Sequence, residues 1–229
     1  MVLGTTAAAD ELPGLGPWDN RVRIDPREMP WPAVARLQIP GVSRCTAVLV
    51  APQVAVTAAH CLYGRRLGRF VPPDSVNVLF GYDAGKFARH VRAVSYAIMP
   101  GFNPQSQFGG GADLALIRFA RPVGDRVVPL AEDAGAGVTV MLGGYGQDRA
   151  EVVMADPACT TRGLSAGQDG RPMLVHNCNG TRGTSGGPVF SRLPDGTWAL
   201  VGIQVASNTH GVGGAAVPVA AVRALLAAQ

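Results

Sequence analysis

A single serine, Ser185, lies in a stretch whose composition favours a sharply turned backbone. Four of the seven residues from Arg182 to Pro188 are glycine or proline, residue types typical of turns that other side chains tolerate poorly. A serine hydroxyl is a weak nucleophile at neutral pH and needs an adjacent general base. Neighbouring glycines would let a substrate carbonyl approach and leave N–H groups free to stabilise an oxyanion. The stretch alone fits a nucleophilic serine and a glycine-rich hairpin loop equally well.

Two other segments supply a candidate base and a candidate carboxylate. His60 follows the apolar run 54–59, and Asp113 precedes the apolar run 114–117. A histidine can accept the serine proton, and a carboxylate can hold the imidazole in one tautomer. The alternatives are a buried structural histidine and an aspartate that caps a turn. The remaining histidines lie in no such motif and are interpreted as structural or exposed: His90, His176 and His210.

These segments resemble the three catalytic motifs of the trypsin/chymotrypsin-like serine proteases. The motifs are Thr57–Cys61 (TAAHC), Asp113–Leu116 (DLAL) and Gly183–Pro188 (GTSGGP). They occur in the family's order of His, Asp and Ser, which differs from the order in subtilisins and α/β-hydrolases. The resemblance implies the family's established roles: Ser185 as nucleophile, His60 as general base and then acid, and Asp113 as the residue that orients the imidazole. It also implies an oxyanion hole formed by the N–H groups of Gly183 and Ser185.

Thr184 departs from the pattern of most animal members, which have an aspartate before the nucleophile. That aspartate pairs with a freshly cut N-terminal ammonium, and a threonine cannot form this ion pair. We therefore expect other contacts to hold the oxyanion hole. Thr184, the segment 175–179 and the segment 23–32 resemble the bacterial, glutamyl-endopeptidase-like branch of the family.

The resemblance also indicates which residues line the primary specificity pocket. One wall is expected at Asn179, Gly180 and Thr181, and the other at Gln204, Val205 and Ala206. A trypsin-like pocket would have a carboxylate where Asn179 stands, and a glutamate-selective pocket would have a histidine where Gln204 stands. The predicted pocket is neutral and polar, which favours an uncharged residue before the scissile bond.

The four cysteines permit three pairings, and four free thiols remain an alternative. The resemblance favours a Cys45–Cys61 disulfide, which leaves Cys159–Cys178 as the second. No Cys-x-x-Cys pair and no acidic cluster with calcium-loop spacing occurs, so neither a metal nor a cofactor is expected. Disulfides form in oxidising compartments, and the protein is therefore expected to be secreted or periplasmic. The first ten residues lack the regions of an intact secretory signal.

Bulk composition excludes several classes of protein. The 229 residues are 47% apolar and 16% charged, with a formal net charge of +4. This composition is typical of a globular chain and argues against disorder. No cluster of Lys and Arg suggests a nucleic-acid surface, and no segment is apolar over the length needed to span a bilayer. We expect a monomer that acts on a protein or peptide substrate, without nucleic-acid or membrane partners.

Short, turn-punctuated apolar runs predict an all-β fold. The 30 glycines and 18 prolines are spread along the chain, as expected for many short strands joined by tight turns. Strand periodicity alone also allows a sandwich. The resemblance implies two six-stranded antiparallel β-barrels, about 20–120 and 125–218, with the site in the cleft between them. An extended arm is expected over 1–20, the protease domain over 21–229, and a short C-terminal helix over 219–228.

The leading hypothesis is a secreted serine endopeptidase that acts through an acyl-enzyme. A non-catalytic binding protein on a protease scaffold is the main alternative. A quality-control protease of the HtrA type is less favoured, because the Cys45–Cys61 bridge would be unusual there.

Overall fold

The computed structural model describes residues 12–106 and 110–229, so the first eleven residues of the predicted arm lie outside the described residues. Sixteen strands and one α-helix form this part of the chain. The strands are β1 Val22–Arg23, β2 Val34–Ile39, β3 Ser43–Ala51, β4 Val54–Thr57, β5 Tyr63–Gly64, β6 Arg69–Phe70, β7 Asn77–Phe80, β8 Arg89–Arg92, β9 Ser95–Ile98, β10 Ala115–Arg118, β11 Ala136–Gly144, β12 Met154–Ala166, β13 Pro172–His176, β14 Pro188–Arg192, β15 Trp198–Ser207 and β16 Gly214–Pro218. The α-helix is α1 Val219–Ala227, and 3-10 helices span Trp31–Ala33, Ala59–Leu62, Pro73–Ser75 and Gln147–Arg149.

The first sheet is antiparallel, with the strand order β8-β7-β2-β3-β4-β10-β9. Its two edge strands, β8 and β9, are consecutive in the chain and are separated only by Ala93 and Val94. Ala93 N–H donates to Val76 O on one edge, and Val94 N–H donates to Arg118 O on the other. The chain therefore joins both edges of the sheet through one bent segment, and the sheet curves around its apolar interior.

The second sheet closes through its own hydrogen bonds. The order β12-β11-β14-β15-β16-β13 returns to β12, which pairs with β13, and β1 is added at the outside of β12. The helix α1 follows β16 directly and buries Val219, Val222 and Leu225, which recur at helical spacing. The predicted all-β, chymotrypsin-like fold with a short C-terminal helix is confirmed.

One apolar cluster contains buried residues of both sheets, and a second cluster lies within the second half of the chain. Trp31, in the 3-10 helix before β2, packs edge-on against Phe190 of β14 with 5.9 Å between ring centroids. Both rings are buried. Gly143 in β11 lies beneath the indole, where a Cβ would come within 2.3 Å of the Trp31 ring. This packing fixes the position of one sheet relative to the other. A site that takes residues from both sheets needs such a contact.

Two disulfides brace the segments near the cleft, and all four cysteines are bonded. Cys45 of β3 is joined to Cys61 of the 3-10 helix Ala59–Leu62. Cys159 of β12 is joined to Cys178, which follows β13. These are the pairings that the resemblance favours. None of the helices in residues 12–106 and 110–229 is long and apolar enough to cross a membrane.

Removal of the first disulfide is expected to destabilise the fold through the entropy of the unfolded chain. The bond closes a loop of 16 residues, for which chain entropy gives about 3 kcal/mol, or a decrease in Tm of about 10 °C. Calorimetry of Cys45→Ala/Cys61→Ala, in a Ser185→Ala background that prevents autolysis, measures this decrease. The matched control is Cys159→Ala/Cys178→Ala, whose loop spans 19 residues. Equal decreases are expected, and an unchanged Tm for the first pair would contradict the entropic explanation.

Candidate active site

His60 and Asp113 meet at one end of the β4–β10 pair. In this antiparallel pair Thr57 lies opposite Ala115, so the residues just after β4 and just before β10 emerge at the same end. Asp113 Oδ1 accepts a hydrogen bond from His60 N–H at 2.9 Å, and Asp113 Oδ2 lies 2.7 Å from His60 Nδ1. The carboxylate is 3% exposed, whereas the His60 side chain is 33% exposed.

This arrangement determines the tautomer of His60. A carboxylate accepts but does not donate, so Nδ1 carries the proton and Nε2 is left as a hydrogen-bond acceptor. The hydrogen bond from the His60 backbone N–H to Asp113 Oδ1 also fixes the backbone of His60 relative to the carboxylate. The imidazole is therefore oriented by one buried carboxylate and can accept a proton on its exposed side.

Ser185 is followed directly by a turn position, Gly186, that only glycine can occupy. Gly186 has φ +80°, and a Cβ there would lie 2.1 Å from Thr46 O and 2.2 Å from Thr57 Oγ1. Gly186 N–H donates to Gln204 O at 2.7 Å. Ser185 and His60 line the same cavity, although they make no hydrogen bond within the described part of the chain. The turned backbone that the glycines predicted is thus a consequence of close contact with β3 and β4.

The N–H of Gly183 is oriented by the peptide group to which it belongs. Arg182 O, in the same peptide group, accepts a hydrogen bond from Gln147 N–H at 2.7 Å. Because a trans peptide places C=O and N–H on opposite sides, Gly183 N–H points away from Gln147. Gly183 has φ +92°, and a Cβ there would come within 2.5 Å of Tyr145 O. Only glycine fits this position without strain.

The N–H of Ser185 is oriented in the same way. Thr184 O accepts from Gly187 N–H at 2.7 Å, which directs Ser185 N–H to the other side of that peptide. Neither this N–H nor that of Gly183 donates to an acceptor among the residues that the structure describes. Two free N–H groups on either side of Thr184 are the arrangement that an oxyanion hole needs.

Thr46 holds the peptide group between Gly183 and Thr184. The sequence did not indicate this role. Its hydroxyl donates to Gly183 O at 2.9 Å and accepts from Tyr145 N–H at 3.0 Å. Its own N–H donates to Ser185 O at 2.8 Å, and its carbonyl accepts from Thr57 Oγ1 at 2.7 Å. Thr46 is fully buried. A threonine beside a cysteine carries no sequence signal of this role, since it depends on a segment more than a hundred residues away.

The predicted specificity residues are more enclosed than the sequence suggested. Asn179 and Gln204 are buried, at 3% and 1% exposure. Asn179 N–H and Nδ2 both donate to Asp156 Oδ2, at 2.7 and 2.9 Å. Gln204 Oε1 lies 2.6 Å from His176 Nε2, and Gln204 Nε2 donates to Ala206 O at 2.8 Å. The polar groups of both side chains thus have partners within the protein.

His176 and Asp156 form the support behind this region, and neither was assigned a role there from sequence. Burial lowers the pKa of His176, which favours the neutral ring. Its Nδ1 accepts from Cys178 N–H at 3.2 Å, so Nε2 carries the proton that is shared with Gln204. Thr181, by contrast, has a buried hydroxyl without a partner among the described residues.

The N-terminal segment packs against the same region. Gly180 N–H donates to Gly14 O at 3.1 Å, and Gly16 N–H donates to Asn179 Oδ1 at 3.2 Å. A Cβ at Gly14 would lie 2.1 Å from Gly180 O, so the approach requires glycine. The described end of the predicted arm is therefore part of the wall behind Asn179 and Gly180.

Two cavities meet at His60. The smaller, of about 320 Å³, is lined by His60, Asp113, Asp169 and Val205, among others. The larger, of about 890 Å³, is lined by His60, Gly183 and Ser185, among others. Of the six predicted specificity residues, Val205 lines the smaller cavity, and none lines the larger one. A chain lying across Ser185 would therefore extend into both.

Asp169, in the turn between β12 and β13, positions the segment that leads to Asp113. Its carboxylate accepts from Gly111 N–H at 3.0 Å and from Ala112 N–H at 2.8 Å. Partial burial raises the pKa of Asp169, but the N–H donors of Ala112, Arg171 and Gly111 outweigh it and bring the pKa below its usual value. The second sheet thereby holds the loop of the first sheet that carries the candidate orienting carboxylate.

Cys45, His60 and Cys61 have donor atoms close enough to surround a metal ion. The two sulfur atoms form the first disulfide, so they are not thiolate ligands. This cluster is therefore assigned no metal.

Substitution Thr46→Val is expected to lower kcat about 10- to 100-fold with little change in KM. The valine leaves the buried Gly183 carbonyl without its donor, a loss of about 1–3 kcal/mol, and loosens the peptide beside the candidate oxyanion hole. Steady-state kinetics on a peptide substrate measure the effect. Thr46→Ser keeps the hydroxyl and is expected to restore kcat. A Val variant with normal kcat would show that the bond does not position Gly183.

Substitution Asp169→Asn is expected to reduce kcat several-fold, since the hydrogen bonds that this exposed carboxylate accepts from two N–H groups contribute about 1 kcal/mol. A group whose pKa is lowered in the folded state stabilises the fold above its unfolded pKa, and this contribution is lost as pH falls through the folded pKa. The Tm difference between wild type and variant should therefore be largest near neutral pH and should shrink as the pH falls below about 3.9, the usual pKa of an aspartate. A difference that does not change with pH would contradict the assignment.

Comparisons with known proteins agree with this fold. The family model described as Trypsin matches residues 22–226. A solved structure, described as Glu endopeptidase in complex with MPD, superposes with a TM-score of 0.73 at 18% sequence identity, and the match covers 93% of this chain and 98% of that one. This likeness concerns the fold. The family match extends over most of the chain, which therefore belongs to the trypsin family of serine endopeptidases.

Proposed function

We propose that the protein hydrolyses peptide bonds with Ser185, His60 and Asp113 as its catalytic triad. The observation that carries the proposal is the pair of hydrogen bonds by which buried Asp113 orients His60 toward the cavity that Ser185 also lines. This is the arrangement that a serine needs in order to transfer its proton to an adjacent base.

In the proposed reaction, Ser185 Oγ attacks the carbonyl carbon of the scissile bond, and its proton moves to His60 Nε2. The N–H groups of Gly183 and Ser185 stabilise the oxyanion of the tetrahedral intermediate. When the C–N bond breaks, His60 gives the proton to the leaving amine. Water then attacks the acyl-enzyme, its proton passes to His60, and the return of that proton to Ser185 Oγ releases the carboxylic acid.

The alternative is a binding protein that retains the scaffold without catalysis. One observation favours the binding protein: Ser185 and His60 make no hydrogen bond to each other in the described part of the chain. Such bonds are often long in free enzymes and tighten in the complex with substrate. The intact pair of His60 and Asp113 and the free N–H groups of Gly183 and Ser185 favour catalysis.

For the residue before the scissile bond, we propose an uncharged side chain. Asn179 stands where a carboxylate would select a basic residue, and it covers Asp156 by two hydrogen bonds to one carboxylate oxygen. Gln204 stands where a histidine would select glutamate, and its amide is bound to His176 and to a backbone carbonyl. Cleavage of a diverse peptide library tests this preference, and a profile dominated by Arg, Lys or Glu would overturn it.

The two disulfides support a further part of the proposal, namely that the protein works in an oxidising compartment, either secreted or periplasmic. Fractionation of the producing cells tests it. Recovery of the protein in the cytosol with reduced cysteines would contradict it.

A fluorophosphonate probe tests the nucleophile directly. The wild-type protein is expected to be labelled at Ser185, and Ser185→Ala and His60→Ala are expected to remain unlabelled. Peptide cleavage should fall by about 10⁴- to 10⁶-fold in both variants. The control is Ser191→Ala, which removes a hydroxyl from β14, outside the triad. Equal labelling of wild type and Ser185→Ala would exclude the triad and favour the binding protein.

A further inference from the structure

We propose that the larger cavity beside Ser185 binds acidic side chains of the substrate on the C-terminal side of the scissile bond. This inference rests on the proposed function, since it concerns the same cleft. It begins from the lining of the cavity of about 890 Å³, which includes four arginines and no aspartate or glutamate: Arg44, Arg65, Arg66 and Arg182.

The four arginines come from three separate parts of the chain. Arg44 lies in β3, Arg65 and Arg66 lie between β5 and β6, and Arg182 lies beside Gly183. All four are exposed. Only the fold brings these charges to one cavity, which is why the sequence shows no basic cluster there.

None of these guanidinium groups has a partner in the described part of the chain. The arginines that do form ion pairs lie elsewhere: Arg21, Arg23, Arg27, Arg36, Arg149 and Arg223. Glu151 is close enough to Arg44 for its pKa to be affected, but its oxygens already bind Tyr82 and Arg36. The cavity therefore presents positive charge that the protein itself does not neutralise.

The position of the specificity residues indicates which part of a substrate meets this charge. Val205, predicted to contact the residue before the scissile bond, lines the smaller cavity, which shares His60 and Arg65 with the larger one but contains neither Gly183 nor the other three arginines in its lining. A peptide with its scissile carbonyl at Ser185 that places the preceding residue near Val205 must direct the following residues into the larger cavity. The arginines would then contact the leaving portion of the substrate.

The chemistry of the four side chains favours carboxylates. A guanidinium stays charged at all physiological pH values and binds a carboxylate through two parallel N–H donors. Because the arginines are exposed, each pair contributes little by itself, and several acting together should give a preference of about 10-fold in kcat/KM. The preference should weaken as salt screens the charges.

Matched peptides test the proposal. They share one sequence before the scissile bond and carry either Asp-Asp or Asn-Asn at the second and third positions after it. The wild-type protein is expected to cleave the acidic peptide with kcat/KM about 10-fold higher at low ionic strength, and the ratio should approach one at high ionic strength. An acidic peptide that is cleaved no faster than its neutral partner overturns the proposal and leaves the triad intact.

The variant Arg44→Gln/Arg66→Gln tests the source of the preference. It is expected to reduce the ratio to about 2-fold while cleavage of the neutral peptide is retained. The matched control is Arg121→Gln/Arg126→Gln, which also removes two exposed charges, from the segment beyond β10 at the end of that strand away from Asp113. A ratio that falls equally in the control would assign the effect to net charge and overturn the site.

Binding separates this proposal from the proposed function. Fluorescence anisotropy of the same two peptides on Ser185→Ala measures recognition without catalysis. Tighter binding of the acidic peptide, together with no cleavage by the wild type, would support the acidic subsite and overturn the endopeptidase. Equal binding and no cleavage would overturn both.

Discussion

The conformation of the backbone around Ser185 depends on hydrogen bonds from three distant segments. Thr46 of β3 binds Gly183 O, Gln147 binds Arg182 O, and Gln204 O of β15 accepts from Gly186 N–H. Each bond orients one peptide group, and together with the bond from Gly187 N–H to Thr184 O they leave the two N–H groups at Gly183 and Ser185 free. The groups that make these hydrogen bonds to the segment are all uncharged.

The candidate site also depends on how firmly the two sheets are joined. His60 and Asp113 belong to the first sheet and Ser185 to the second, so a small shift between them would separate base from nucleophile. Trp31 packs on Phe190 across the shared core, and Asp169 of the second sheet binds the loop before Asp113. The apolar contact resists sliding, and the polar contacts set the position of the loop.

Arginine side chains occur in two different environments in this structure. Arg21, which is buried, is satisfied by Asp19 and Asp148, since a buried charge must be paired. The arginines at the larger cavity have no such partners, because exposed charges remain solvated. The same residue type is thus structural in one place and available to a ligand in another. The burial of the side chain and the presence of a carboxylate partner decide which of these roles an arginine has.

The sequence by itself determined the fold family and the three candidate catalytic residues, because short motifs in a fixed order carry them, whereas the cysteine pairing was implied by the resemblance to that family. Gly183 and Gly186 were recognisable since only glycine adopts their backbone conformation. Thr46, Asp156, Asp169 and the four cavity arginines were not recognisable, because each acts on a segment far away in the chain. The enclosure of Asn179 and Gln204 was also decided by tertiary structure, since Asp156 and His176 reach them only once the second barrel closes. Local patterns reveal what a residue can do chemically, and packing decides which groups it meets.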